Sequence, residues 1–410
     1  MAKGRENKPH IGIFGRRNNG KSSLINALCN QDVAIVSDIA GTTTDPVKKS
    51  IEIHGLGPVI AIDTAGIDDT GKLGELRTGK SLAVIKQIDL AILVLTANQF
   101  ESHERELIKK FRQHKLPFIL VHNKNDEIPA DIIFRDAILK ETDYPLIEYS
   151  ALFPDKYNEG LLQAIRDRMP ESAYDRKDLI GDLVSYGDIV LLITPIDIEA
   201  PEGRLILPQI QVIRDALDND CTAIILKERE VDAFLKKTNI RPKLVITDSQ
   251  VFLKADASIP RDIPLTSFSI LLARQKGDFT EYLKGTPKIS ELKDGDRILL
   301  LESCSHHVSC DDIGRVKTPR WISHFTGRKL NYDTVAGLDS LQRPIEEYAL
   351  VIQCGGCMIT HRQLVSRLHD AKEKNIPITN YGMAIAWVHG IFARAVEPFT
   401  GRIETDEDLL

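Results

Sequence analysis

Residues 11 to 28 run from apolar strand through glycine-rich turn to helix. Ile11-Gly12-Ile13-Phe14 leads into Gly15-Arg16-Arg17-Asn18-Asn19-Gly20-Lys21-Ser22, and a helical pattern begins at Ser23. This G-x-x-x-x-G-K-S order constrains the fold more than any other segment. A phosphate-binding loop works where a strand ends and a helix begins, with the helix dipole aimed at the ligand. Gly15 and Gly20 let successive backbone N–H groups turn inward on phosphates. Lys21 then reaches the β- and γ-phosphates and the Ser22 hydroxyl ligates Mg²⁺, with Asn18, Asn19 and Ser23 completing the contacts.

Three later segments add to that reading. Residues 59–62 read as a strand ending in Asp63-Thr64-Ala65-Gly66, where Asp63 would hold Mg²⁺ through water and Gly66 would admit the γ-phosphate. Residues 117–121 read as a strand leading to Asn123-Lys124-Asn125-Asp126. The Asp126 carboxylate can accept from the N1–H and the exocyclic amine of guanine, a donor pair that adenine lacks. Residues 146–149 lead into Ser150-Ala151, placed to offer backbone N–H to the same base. In this order and spacing the four motifs point to GTP and resemble the Ras-like GTPases. Gly41-Thr42-Thr43-Thr44-Asp45 resembles the first switch of the Era and tRNA-modification branch. That resemblance makes Thr43 the Mg²⁺-sensing threonine, with Thr42 second, and assigns catalysis to Lys21, Thr43, Asp63 and Gly66. Ile67 stands where Ras-like switches carry a water-orienting Gln, so slow intrinsic hydrolysis is expected. Asn18 stands where potassium-activated members carry the ion-binding Asn, so K⁺ near Asn18 is expected to replace an arginine finger.

At 410 residues the chain has room for several domains. A net charge of −6 argues against a nucleic-acid surface spread over the whole protein. The polar start and the lack of a long apolar run lead us to expect a cytoplasmic protein with no membrane segment. The expected fold class is α/β: a Ras-like P-loop GTPase domain (1–171) followed by two smaller parallel-sheet domains (178–262 and 263–410). Segments 171–177 and 255–264 read as linkers. In the middle domain, apolar strands at 189–193, 222–226 and 244–246 alternate with helical patterns at 208–217 and 231–237. No catalytic constellation is visible there, which favours a structural or oligomerisation module. In the last domain, strands are expected at 297–302, 348–352 and 376–379. Thr318-Pro319 reads as an N-cap followed by Pro at N1, and Thr360 to Gln363 as a capping box.

Six cysteines are too few for a disulfide scaffold. Cys29 and Cys221 read as small core residues, and Cys310 is ambiguous. The rest are grouped: Cys304-Ser305-His306, then 46 residues, then Gln353-Cys354-Gly355-Gly356-Cys357. Cys304 and Cys354 each lie just past an expected strand, at the edge where parallel sheets collect ligands. Gly355 and Gly356 would let the loop turn so that Cys354 and Cys357 converge. On the residues alone the set suits an iron–sulfur cluster on Cys304, Cys354 and Cys357. It also suits Zn²⁺ with His306 as fourth ligand, or a redox pair without metal. No C-x-x-x-C-x-x-C triplet is present, which argues against radical-SAM chemistry in this chain.

A GTPase domain, an α/β middle domain and a C-x-H…C-x-x-C domain together resemble the [FeFe]-hydrogenase maturation GTPases, the HydF family, over essentially the whole chain. The family pattern is C-x-H-x(46–53)-H-C-x-x-C, and Gln353 stands where the family usually has His. The resemblance implies a [4Fe–4S] cluster on Cys304, Cys354 and Cys357 with an open or exchangeable fourth position. Candidates for that position are His306, His307, a carboxylate or solvent. It further implies a homodimer formed through the middle domain, and a transient diiron precursor of the H-cluster received or assembled on the scaffold. The precursor would be delivered to apo-[FeFe]-hydrogenase, with two radical-SAM maturases as further partners. The rival is an RNA-directed GTPase of ribosome assembly or tRNA modification with a Zn²⁺-stabilised C-terminal domain. Basic runs at Arg315-Val316-Lys317 and Arg328-Lys329 are interleaved with acidic residues, which argues against nucleic acid. The Asn18 reading expects faster GTP hydrolysis in K⁺ than in Na⁺ buffer; equal rates would remove it.

Overall fold

The computed structural model describes residues 8–29, 46–53, 56–64, 83–170, 173, 178–195, 205–303 and 312–401. The chain forms two compact units, Met1–Arg176 and Lys177–Leu410. It is an α/β protein: a Ras-like P-loop GTPase fold followed by parallel-sheet layers.

The first unit holds β1 (His10–Gly15), β2 (Val47–Ile53), β3 (Gly57–Asp63), β4 (Leu90–Leu95), β5 (Phe118–His122) and β6 (Leu146–Glu148). Their order is β2-β3-β1-β4-β5-β6, with β2 antiparallel to β3 and the other pairs parallel. Side chains alternate across a sheet, so a strand buried on both faces reads as continuously apolar. β4 shows this: Leu90, Ile92 and Val94 enter one core with Leu24, Leu161 and Ile165. Ala91, Leu93 and Leu95 enter the opposite core with Leu107, Phe111, Phe134 and Ile138. Helices Lys21–Cys29 and Pro154–Arg168 cover the first face, and Ser102–Gln113 and Ile132–Glu141 the second. β1 pairs with β3 on one side and β4 on the other, and the loop from Gly15 to Ser22 leaves its carboxyl end.

Among the described residues the second unit holds two all-parallel, four-stranded sheets. One contains β7 (Ile189–Ile193), β8 (Thr222–Leu226), β9 (Leu244–Thr247) and β10 (Leu265–Ser267), in the order β10-β9-β7-β8. The other contains β11 (Arg297–Leu301), β12 (Asn331–Val335), β13 (Leu350–Gln353) and β14 (Ile378–Asn380), in the order β12-β11-β13-β14. Helix Phe268–Lys276 is apolar on both sides. Phe268, Leu271 and Leu272 join a core with Leu192 and Ile246, while Ile270 and Ala273 join one with Leu299 and Val351. A helix without a polar face must lie between two layers, and this one does. Cys221 is buried behind β8, as a small core residue.

Two local expectations fail for identifiable reasons. Segment 255–264 is not a linker. It is half helix (Phe252–Ser258), and Ile259 and Ile263 are only 3% and 4% exposed in the core. Its prolines and charges hide those two isoleucines. Its carbonyls are satisfied from outside by Arg394, which donates to the backbone oxygens of Asp256, Ile259, Pro260 and Ile263 and to Asp256 Oδ1 at 2.7 Å. Thr318 is not an N-cap either. A wide turn at Ile313–Lys317 precedes helix Thr318–Thr326, the Asp312 carboxylate caps that turn at Arg315 N–H, and the Thr318 hydroxyl donates to Ile313 O. The capping box at Thr360 and Gln363 forms, opening helix His361–Glu373. No helix among the described residues is long and apolar enough to cross a membrane.

Arg394 carries a charge that is 6% exposed and pairs with Asp256 at 2.7 Å. Removing Arg394 strips the four carbonyls of their shared donor and leaves Asp256 with only the exposed Arg261 at 3.1 Å. Arg394→Met should therefore destabilise the second unit by about 3–5 kcal/mol. In urea unfolding the midpoint of that unit should fall with little change in slope.

Candidate functional site

The phosphate loop is built from strain that its own residues tolerate and from anchors behind it. Gly20 sits at φ +80, and a Cβ there would lie 2.4 Å from Asn123 Nδ2. Glycine is thus required both by the backbone angle and by the close approach of the guanine-side loop. Asn18 is exposed at φ +63, a left-handed conformation that Asn accepts more readily than most residues. Lys21 Nζ donates to the carbonyl oxygens of Gly15 and Arg16 at 3.1 and 2.9 Å. Ser22, exposed like Ser23, donates to Asp63 Oδ2 at 2.5 Å, which brings the two Mg²⁺-binding candidates together.

Asn19 is buried and knits the site together. It donates to Val94 O at 2.8 Å, accepts from the Thr96 hydroxyl at 2.9 Å, and its carbonyl accepts from Asn123 Nδ2 at 2.9 Å. Asn123 therefore spends its amide on the phosphate loop. Asn125 N–H donates to Tyr149 O, and Tyr149 N–H to His122 O, so the loops after β5 and β6 are joined. Lys124 takes φ +58 there, and Asp126 is exposed. Ser150 is buried, with its hydroxyl accepting from Leu152 N–H, and Ala151 is half-buried beside it. Thr42, Thr43, Gly66 and Ile67 lie outside the described residues.

At the other sheet edge, Cys354 follows β13 directly and its N–H donates to Leu301 O of β11. The chain passes from β11 to β12 on one side and returns to β13 on the other, so Cys354 sits at the reversal of strand order. Its Sγ accepts from Ser303 N–H at 3.1 Å and lies 2.9 Å from the Ser303 hydroxyl. Gly356, not Gly355, makes the turn: it takes φ +73, and a Cβ there would meet Leu364 Cδ1 at 2.7 Å. Lys276, nearly buried, donates from Nζ to the carbonyl oxygens of Gly356, Cys357 and Ile359 and so fixes the loop from beneath. Arg367 donates to Glu302 O and Val335 O, both at 2.6 Å, tying the ends of β11 and β12. Burial, and then the nearness of Cys354, pushes the phenols of Tyr282 and Tyr381 well above their ordinary value, so both stay neutral. Among the described residues no three metal-binding side chains converge. Cys304, His306, His307 and Cys310 lie outside them.

Residues 179–277 match the family described as the hydrogen maturase F dimerization domain, and residues 280–398 its tetramerization domain. The chain belongs to the hydrogen maturase F family. Residues 10–124 match the family described as 50S ribosome-binding GTPase, so a GTPase domain precedes the two self-association domains, as expected for a hydrogenase maturation GTPase. The GTPase part is similar to the tRNA modification GTPases MnmE. The match to that of Chromobacterium violaceum is 40% identical, over 35% of this chain and 31% of that protein. For that of Nitrosomonas europaea the figures are 42%, 28% and 25%. The chain spans a third or less of those relatives, and tRNA modification is said of them. Among solved structures, Era of Aquifex aeolicus is 19% identical, with 55% of this chain and 97% of that chain covered at a TM-score of 0.33.

Sequence reasoning missed the anchors. Arg16 donates from Nε to Glu104 Oε1 at 2.7 Å and from Nη2 to Glu104 Oε2 and Glu101 Oε2, both at 2.9 Å. Glu104 also accepts from Glu101 N–H, opening helix Ser102–Gln113. Lys276, Ser303 and Arg367 are anchors of the same kind, and none has a spacing signal. Burial alone would raise the Glu104 carboxyl, but Arg16 and the helix-opening N–H hold it below the usual carboxylate range. A depressed carboxyl contributes stability that is complete above its ordinary pKa of about 4.3 and is lost only as pH falls through the lower native value. In Arg16→Met only the helix-opening N–H is left to oppose burial, so the Glu104 carboxyl rises and that loss begins at higher pH. The variant should bind GTP more weakly, and the acid limb of its affinity profile should shift upward. Titration with a fluorescent GTP analogue across the acidic range checks this.

Proposed function

We propose that this chain is a GTP-switched scaffold that binds a [4Fe–4S] cluster through Cys304, Cys354 and Cys357. It receives or assembles the diiron precursor of the H-cluster there and delivers it to apo-[FeFe]-hydrogenase. The observation that carries this reading is Cys354 at the strand-order reversal, its sulfur accepting the Ser303 N–H at 3.1 Å. A thiolate ligand needs such donors, and a parallel sheet presents them at this edge. The fit extends to Cys357, which Lys276 holds in place through the loop carbonyls. When bound, a [4Fe–4S] cluster supplies a one-electron centre with one iron open to an incoming ligand. The chain's residues would anchor and orient it: Cys354 and Cys357 from one loop, and Cys304, which follows β11 in sequence, with His306 as a candidate fourth ligand.

In the GTPase half, Lys21 acts on the β- and γ-phosphates, and Ser22, Thr43 and Asp63 on Mg²⁺. Gly66 admits the γ-phosphate, Asp126 reads guanine, and Asn18 binds K⁺. Nucleotide state then times association with the two radical-SAM maturases and the hydrogenase. Segment 178–262 carries the homodimer contact, 263–410 the cluster, and the protein works in the cytoplasm. The rival, an RNA-directed GTPase with a Zn²⁺ site, draws support from the relatives named tRNA modification GTPases.

Low-temperature EPR separates the two. The full chain, reconstituted with iron and sulfide without oxygen and reduced with dithionite, should give the fast-relaxing signal of a reduced cluster. Cys354→Ala should lose it. A silent spectrum with stoichiometric zinc would sink the cluster reading and favour the rival.

A further inference from the structure

Gln353 is fully buried at the end of β13, one residue before the first thiol of the C-x-x-C loop. Its backbone carbonyl accepts from Asn380 Nδ2 at 3.1 Å, and Asn380 also caps the helix that starts at Tyr381. The backbone at this residue is therefore fixed by two elements. Its side-chain nitrogen lies 3.2 Å from Ser303 Oγ, 3.1 Å from Cys354 O and 3.6 Å from Cys354 Sγ. The amide cannot be turned over, because its oxygen would then face the carbonyl oxygen of Cys354, which only accepts. Oε1 is buried and has no partner among the described residues.

We infer that Gln353, directly and through Ser303, is the hydrogen-bond donor that orients the Cys354 thiolate and raises the reduction potential of the cluster it ligates. This rests on the cluster reading above. The chemistry follows from the donor inventory. As a free thiol, Cys354 donates to Ser303 Oγ at 2.9 Å. As a ligand it has no proton, so the Ser303 hydroxyl rotates and donates to sulfur instead. Gln353 N–H continues to donate to that hydroxyl oxygen and polarises it, forming an amide-to-hydroxyl-to-thiolate relay. The Ser303 backbone N–H adds a direct donor to the same sulfur. Donors to a ligand sulfur stabilise the more negative, reduced cluster more than the oxidised one, and so move the potential upward. One electron enters from the external reductant and no covalent bond is broken. Gln353 is thus a positioning residue.

The test is a redox titration of the EPR signal in the reconstituted full chain, wild type against Gln353→Leu and Ser303→Ala. Leucine keeps the buried volume and removes the donor; the serine variant removes the relay oxygen alone. Each should shift the reduced-to-oxidised ratio at fixed potential by about tenfold toward oxidised, or ~59 mV downward for a one-electron couple. In wild-type protein carrying ¹⁵N in its glutamine side chains, pulsed EPR should show a weak nitrogen coupling to the cluster. This second readout does not require a variant to fold or load. A wild-type cluster with unchanged potential in both variants and no nitrogen coupling would overturn this inference and leave the cluster reading intact. A wild type with no cluster signal would instead overturn the cluster reading, and this inference with it.

Discussion

Parallel strand pairing is the constraint on which the rest of this structure depends. A parallel sheet needs crossover connections, and these cover both faces, so its strands become apolar on both sides. β4 divides six buried residues between two cores, and β11 and β13 are buried almost throughout. Polar chemistry is thereby driven off the faces and onto the carboxyl edge. In each unit the occupied point is the one where strand order reverses: after β1, between β3 and β4, and after β13, beside β11. The phosphate loop and the cysteine loop are two answers to the same topological opportunity.

In the scaffold reading both answers use the same physics, because a phosphate and a ligating thiolate are both anions. Each loop depends on a left-handed glycine, Gly20 in one and Gly356 in the other. Each is also held from behind by a cation whose head is occupied. Arg16 is locked by Glu104 and Glu101, and Lys276 by three loop carbonyls. Holding such groups rigid before the ligand arrives lowers the ordering cost on binding.

What was legible in the sequence was whatever rests on local chemistry. The phosphate-loop turn and the capping box at Thr360 each require particular residues at short fixed spacing, and the strand positions follow from apolar runs. What was hidden depends on partners far along the chain. The segment around Ile259 looks like a linker until Arg394, more than 130 residues later, meets its carbonyls. Thr318-Pro319 carries the signature of a helix start, but Asp312 takes the cap because the chain enters through a wide turn. Lys276 reads as the basic end of an ordinary helix, and only the fold brings Gly356 above it.

Gln353 shows how a departure from a pattern acquires meaning through geometry. A neutral histidine offers one donor and one acceptor, and either ring nitrogen can bind a metal; a primary amide nitrogen offers two donors. At this position the two amide hydrogens are shared among Ser303 Oγ, Cys354 O and, at the longest distance, Cys354 Sγ, and Asn380 pins the backbone. A side chain committed in this way supports a ligand and does not compete to be one. In the scaffold reading, the fourth coordination position then falls to His306, His307, a carboxylate or solvent. That leaves the iron there exchangeable, as a site that must both accept and release its cargo requires.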